Sequence, residues 1–145
     1  MSDATHHVNK LIETCLDGKL GYHQAAENVS DASLKQLFMD YASQRASFAS
    51  ELQTAVTSMG GTPTDDGSVT AAFHRGWIGL KDALTGGDKG VLNECIRGEE
   101  HAVKEYQKVV SDDDVPASAK SILTRQHGEI EQALAKMNQL KATVA

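Results

Sequence analysis

A carboxylate lies in the middle of an apolar helical pattern in residues 95–106. The apolar residues of this stretch recur at three- and four-residue steps, and Glu99 falls on the same face of the predicted helix. Glu99 is therefore predicted to point into the core. A buried carboxylate needs a cation, a metal ion or a proton, because an unpaired buried charge is costly. The partner of Glu99 thus decides which chemistry the protein could perform.

A guanidinium is the strongest candidate for that partner. Arg45 follows Tyr41 by four residues and precedes Phe48 by three, so it continues the apolar face of the second predicted helix. Arginine keeps its charge in proteins and binds a carboxylate with two parallel hydrogen bonds. We predict a buried ion pair between Arg45 and Glu99.

Other polar residues are predicted to complete this network. Gln126 and Glu129 occupy core positions in the middle of the last predicted helix. Glu129 is expected to share Arg45 with Glu99, while Gln126 and either Tyr22 or Tyr106 are expected to supply further hydrogen bonds. No residue of the network is assigned a catalytic role.

Four long amphipathic stretches are predicted to form the helices that position these residues: 8–29, 32–59, 88–110 and 116–142. A flexible polar arm, residues 1–7, precedes them. Short loops make the first two helices antiparallel, and the last two likewise. A long crossover containing a short helix, residues 68–84, joins the pairs. The prediction is a single all-α domain, residues 1–145, with the one-crossover topology of ferritin-like four-helix bundles.

Several local features carry their own predictions. Gly18 and Gly21 weaken the middle of the first helix, so they are expected to allow close packing or to admit a bulky neighbour. Asp88 is expected to cap the third helix, and Trp77 to pack rather than to bind a ligand. The two cysteines, Cys15 and Cys95, are expected to be buried free thiols.

The second helix resembles a known family. Residues 42–52 read A-x-x-R-x-x-F-A-x-x-L, which looks like the second-helix pattern of rubrerythrin-like ferritins with its Glu-x-x-His pair replaced. In that register Arg45 stands at the position of the Glu and Phe48 at that of the His. On the third helix, Gly98-Glu99 followed by Tyr106 resembles the family pattern, which places Glu99 at a metal-ligand position.

The same resemblance extends to the other two helices. Gln126 and Glu129 match the second Glu-x-x-His, and Cys15 falls at the remaining Glu position. The whole chain, including G-Y-x-x-A-A-E at residues 21–27, is similar to a bacterial family of ferritin-like four-helix-bundle proteins of unknown function. Among the ligand positions only Glu99 keeps the expected residue type, although Glu129 offers a carboxylate.

These departures argue against a di-iron centre. A permanent cation at Arg45 would repel the metal ions and fill their space. We therefore predict no cofactor. The alternative is iron or zinc at low occupancy in a non-standard site that uses Glu99, Glu129 or a nearby histidine. Two surface pairs at helical i,i+4 spacing, His101 with Glu105 and His127 with Glu131, could chelate zinc but are more typical of solvated helix faces.

Composition limits the remaining function classes. The net charge of -6 and the lack of any basic run argue against nucleic-acid and anionic-membrane partners. No stretch reaches membrane-span length and no signal peptide is recognisable, so a cytoplasmic location is expected. We expect a homo-oligomer, most simply a homodimer, with a further protein partner possible. The leading prediction is a non-catalytic interaction or stress-response module. The alternative is an iron-handling or oxidoreductase protein with an altered site.

Overall fold

The computed structural model describes residues 3–65, Trp77 and residues 83–144. Its elements are four long helices, α1 (Asp3–Asn28), α2 (Ala32–Ser58), α3 (Gly87–Val110) and α4 (Ala117–Lys141), with a 3-10 turn at Leu84–Gly86 before α3. Helix α1 packs against α2 and α3, and α4 packs against α3 and α2. The described residues contain no strand. The prediction of an all-α four-helix bundle is confirmed.

The predicted crossover helix, residues 68–84, lies outside the described residues except for Trp77 and its last two positions. Trp77 itself is buried, with 4% of its surface exposed, in agreement with a packing role. None of the described helices is long and apolar enough to cross a membrane.

The core consists of two apolar clusters at different heights in the bundle. One contains Phe48 of α2 and Ala102 of α3. The other contains Ala42 of α2 and Cys95 of α3. Arg45 and Glu99 lie between these positions on their helices, and both are buried. A polar layer therefore separates the two apolar clusters.

The flexible arm predicted for residues 1–7 is wrong from Asp3 onward, because α1 begins there. Ala4 and Thr5 are 1% exposed. A Cβ atom added at Gly61 would lie 2.3 Å from Cγ2 of Thr5, so the loop after α2 packs tightly on this end of α1. His7 Nδ1 lies 2.7 Å from Oδ2 of Asp112. Packing against distant segments thus orders a stretch whose own sequence is polar.

Asp88 does not cap α3 as predicted, since the N-cap residue of that helix is Gly86 and makes no side-chain capping bond. Its carboxylate instead accepts hydrogen bonds from the backbone N–H groups of Ser30, at 2.7 Å, and Asp31, at 2.9 Å. Asp31 in turn caps α2 by accepting from the Leu34 N–H. The start of α3 is therefore tied to the turn between α1 and α2.

The two glycines in the middle of α1 allow close packing, as predicted. A Cβ atom at Gly18 would lie 3.1 Å from Cγ of Arg45. A Cβ atom at Gly21 would lie 2.3 Å from the Trp77 ring, which is closer than real Cβ atoms approach. Both glycines make room for a bulky side chain next to the polar layer.

Candidate functional site

The centre of the polar layer is a two-pronged ion pair between α2 and α3. Nη1 of Arg45 donates to Oε1 of Glu99, and Nη2 donates to Oε2. The two side chains are 2% and 0% exposed. The structure thus brings together the two residues at the centre of the predicted network, and the guanidinium binds both carboxylate oxygens of Glu99.

Several groups surround the guanidinium of Arg45. Its Cζ lies 5.3 Å from the centre of the Tyr22 ring, within the range of a cation–π interaction. Its Nε donates to the side-chain oxygen of Gln44 at 3.2 Å. Burial by itself lowers the pKa of Arg45, but the charge and hydrogen bonds of Glu99 outweigh burial and hold that pKa above its ordinary value. The Arg45 guanidinium therefore keeps its positive charge in the core.

Tyr22 contributes both its ring and its hydroxyl group to the network. The hydroxyl lies 3.9 Å from the sulfur of Met137, a weak hydrogen bond. Burial raises the pKa of Tyr22 well above its ordinary value, and the nearby Glu99 carboxylate raises it further. The phenol therefore stays neutral beside the ion pair.

Tyr106 and Gln126 form a second network instead of bonding to Arg45 or Glu99. The Tyr106 hydroxyl donates to Oε1 of Gln126 at 2.7 Å. Nε2 of Gln126 donates to Oε1 of Glu51 at 3.1 Å and lies 3.4 Å from the backbone oxygen of Phe48. Cys15 Sγ lies 3.0 Å from the Tyr106 oxygen. Because the Tyr106 proton goes to Gln126, the Cys15 thiol is the donor of that last bond.

The prediction that Glu129 shares Arg45 is wrong. The Glu129 side chain is 40% exposed, and it accepts a hydrogen bond at 3.0 Å from Nη1 of Arg125, one turn earlier on α4. Arg125 also binds Glu51 of α2. Glu129 therefore keeps its charge near water with a surface partner and avoids the desolvation cost of the core.

Sequence reasoning missed Glu51, which links the surface pair with Arg125 to the buried Gln126. Its position at the edge of the apolar face of α2 could have suggested a half-buried role. Nothing in the spacing of one sequence indicates which residue of α4 it meets. Helical periodicity gives the direction of a side chain but not its depth or its partner.

The residues at the positions that match the metal ligands of rubrerythrin-like ferritins do not fit a di-metal centre. Both oxygens of Glu99 are bound by Arg45, and Phe48 offers no lone pair. Burial raises the pKa of the Cys15 thiol to about 11, so it stays protonated at neutral pH. Within the described ranges, no group of three or more His, Cys, Asp or Glu residues could hold a metal ion.

Three histidines of the described residues each pair with a glutamate four residues later. His127 Nδ1 lies 3.3 Å from Glu131, and His101 Nε2 lies 4.0 Å from Glu105, as their i,i+4 spacing suggested. His23 pairs with Glu27 at 2.9 Å in the same way, which the sequence reasoning did not identify. A pair of this kind supplies two of the four ligands of a typical structural zinc site.

A shallow groove of about 860 Å³ lies away from the polar layer, at the end of the bundle where the α1–α2 turn, the start of α3 and the end of α4 meet. Its apolar part comes from Leu34, Leu37, Leu140 and Val144, and Asp31, Asp88 and Lys136 are among its polar residues. The carboxylates of Asp31 and Asp88 are engaged by backbone N–H groups. The groove therefore offers no obvious reactive group.

Comparison with known proteins gives a family and a fold. Residues 3–112 match the family model described as a domain of unknown function, DUF2383. A solved structure of a mutant of Dps1 from Mycobacterium smegmatis is similar over 95% of this chain and 94% of that chain, with a TM-score of 0.76 and 14% sequence identity. At this identity the likeness shows the fold alone. No curated protein matches.

Proposed function

We propose a function for this chain, which belongs to the DUF2383 family, a domain of unknown function. The chain has the fold of a ferritin-like bundle. The proposal is a non-catalytic association module. The ion pair of Arg45 and Glu99 takes the place of a metal centre in its core. The protein then acts through contacts of its surface with another copy of itself or with a partner protein.

One observation carries this proposal: the Arg45 guanidinium binds both oxygens of the Glu99 carboxylate inside the bundle. A metal ion at Glu99 would have to displace that guanidinium. The displaced cation would then be buried without a partner, at a cost of several kcal/mol. Arg45 cannot lose its proton to lower this cost. The ion pair therefore has a structural role and leaves Glu99 unable to act as a metal ligand.

A metal assay tests the non-catalytic part. Protein purified without chelator should contain no stoichiometric iron or zinc and should not accelerate the oxidation of iron(II). Its Tm should be the same with and without added iron(II) or zinc(II), because a ligand raises Tm only by binding the folded state. About two irons per chain, or a metal-dependent rise in Tm that is lost in Glu99→Leu, would contradict the proposal and support the alternative of a metal protein.

Light scattering tests the association part, for which we expect a homodimer. Leu20 and Met39, on α1 and α2, are 39% and 49% exposed and are the large exposed hydrophobic residues of the described chain. The antiparallel pairing of α1 and α2 puts them at similar heights, eight residues before the end of α1 and seven after the start of α2. We expect the dimer contact to include them, because interface cores are depleted in Lys, Glu and Asp relative to the rest of a protein surface.

The double variant Leu20→Glu with Met39→Glu should therefore have a monomer mass, and its helical content should stay that of the wild type. A matched control, Ser121→Glu with Gln132→Glu, adds the same charge at exposed positions of α4, outside the proposed contact, and should remain dimeric. A monomer mass for the wild-type protein at all concentrations would remove the self-association part of the proposal. It would leave the metal result unaffected.

A further inference from the structure

Trp77 fills a slot between two helices. Its ring lies against α1 at Gly21 and against α3 at Gly98. A Cβ atom at Gly21 would lie 2.3 Å from the ring, and one at Gly98 would lie 2.8 Å from it. Any side chain at either position would occupy the space of the indole. The two glycines together therefore leave a gap that fits one flat aromatic group.

The indole also forms the outer layer of a stack that ends at the ion pair. The centres of the Trp77 and Tyr22 rings are 5.1 Å apart, at an interplanar angle of 71°, which is the favourable edge-to-face arrangement. Tyr22 has the Arg45 guanidinium 5.3 Å from its ring centre. Trp77, Tyr22, Arg45 and Glu99 thus follow one another from the α1–α3 side of the bundle to the middle of its core.

We propose that the gap between Gly21 and Gly98 is a binding site for a planar aromatic group of indole size. Trp77 occupies it from within the chain, and its side chain keeps water from the Arg45–Glu99 pair. This holds Trp77 in place between α1 and α3. This role of Trp77 beside the polar layer does not depend on whether the protein self-associates.

Three glycine substitutions test the position of the indole. Gly21→Ala and Gly98→Ala should each displace it, lower Tm by about 5 °C and shift the emission of this single tryptophan to longer wavelength with stronger quenching by acrylamide. Gly128→Ala is the matched control, since a Cβ there meets nothing within 4 Å in the middle of α4. It should keep the wild-type emission. Wild-type emission and quenching in both Gly21→Ala and Gly98→Ala would overturn the proposal.

Free indole tests the site itself. In Trp77→Ala the gap is empty, and added indole should raise Tm in a saturable manner. Indole should have no such effect on wild-type protein, whose site is filled, or on Trp77→Ala with Gly98→Ala, whose site is blocked. Equal stabilisation of Trp77→Ala and of Trp77→Ala with Gly98→Ala, or no effect on Trp77→Ala, would show that the gap is not a binding site. If Trp77→Ala is unfolded, the same comparison is made on indole-dependent recovery of helical circular dichroism.

The exclusion of water has its own readout. Substitutions of Arg45 and Glu99 should be less strongly coupled in Trp77→Ala than in wild-type protein, because water in the empty gap weakens the attraction between the two charges. The Tm values of Arg45→Met, Glu99→Leu and the double variant, measured in both backgrounds, give this comparison. An unchanged coupling would contradict the role of Trp77 as a barrier to water.

Discussion

At the scale of single residues, the chemistry of the polar layer depends on position 45, which has an arginine in place of a carboxylate. A carboxylate at position 45 would add a ligand to that of Glu99, whereas the guanidinium present there neutralises Glu99 and holds both of its oxygens. The sequence predicts this pair because both residues fall on apolar helical faces. Glu129 also falls on such a face, yet it lies at the surface with Arg125. Glu99 and Glu129 differ in how deeply they are buried, and helical periodicity alone does not predict this depth.

The buried thiols give a prediction at this scale. Burial raises the pKa of Cys15 to about 11 and that of Cys95 well above its ordinary value. The thiolate is the reactive form, so neither residue should react with a thiol reagent at pH 8 while the protein is folded. Both should react fully in denaturant, which is the control. Fast labelling of one thiol in folded protein would contradict the packing described for α1 or α3.

At the scale of elements, the sequence indicates the four helices because each has a continuous apolar face and a clear interruption at its end. The bounds of α2 and α4 agree with the prediction to within one residue. The start of α1 does not, since Thr5 is buried by the loop at Gly61 and the local sequence carries no sign of that loop. The prediction for Asp88 is wrong for the same reason. Its hydrogen-bond partners, Ser30 and Asp31, are far away in the chain.

The beginning of α1 can be tested by truncation. Removal of residues 1–7 should lower Tm by several degrees, because it deletes the buried Ala4 and Thr5 and the pair between His7 and Asp112. Removal of residues 1 and 2 alone is the matched control and should leave Tm nearly unchanged. Thermal unfolding followed by circular dichroism makes the comparison. Equal Tm values for the two truncations would mean that residues 3–7 form the flexible arm that the sequence alone suggested.

At the scale of the whole molecule, the ion pair lies between two apolar clusters and links α2 to α3, which belong to different helical pairs. A long connection joins α2 to α3, and it constrains their relative position less than a short loop would. The ion pair therefore fixes the register of these two helices. Loss of one partner leaves a buried charge uncompensated, and this typically costs about 3–5 kcal/mol. Replacement of both partners by apolar residues of similar volume is often nearly neutral.

The most direct test of this account is a double-mutant cycle on Arg45 and Glu99, measured by denaturant unfolding of Arg45→Met, Glu99→Leu and the double variant. The exposed pair of Arg125 and Glu51 provides a control cycle, Arg125→Met with Glu51→Leu, whose coupling should stay below about 1 kcal/mol. For Arg45 and Glu99 we predict that each single variant is strongly destabilised. The double variant should recover much of the loss, with a coupling well above about 1 kcal/mol. Single losses that simply add would contradict the account, because the two side chains would then not meet in the core.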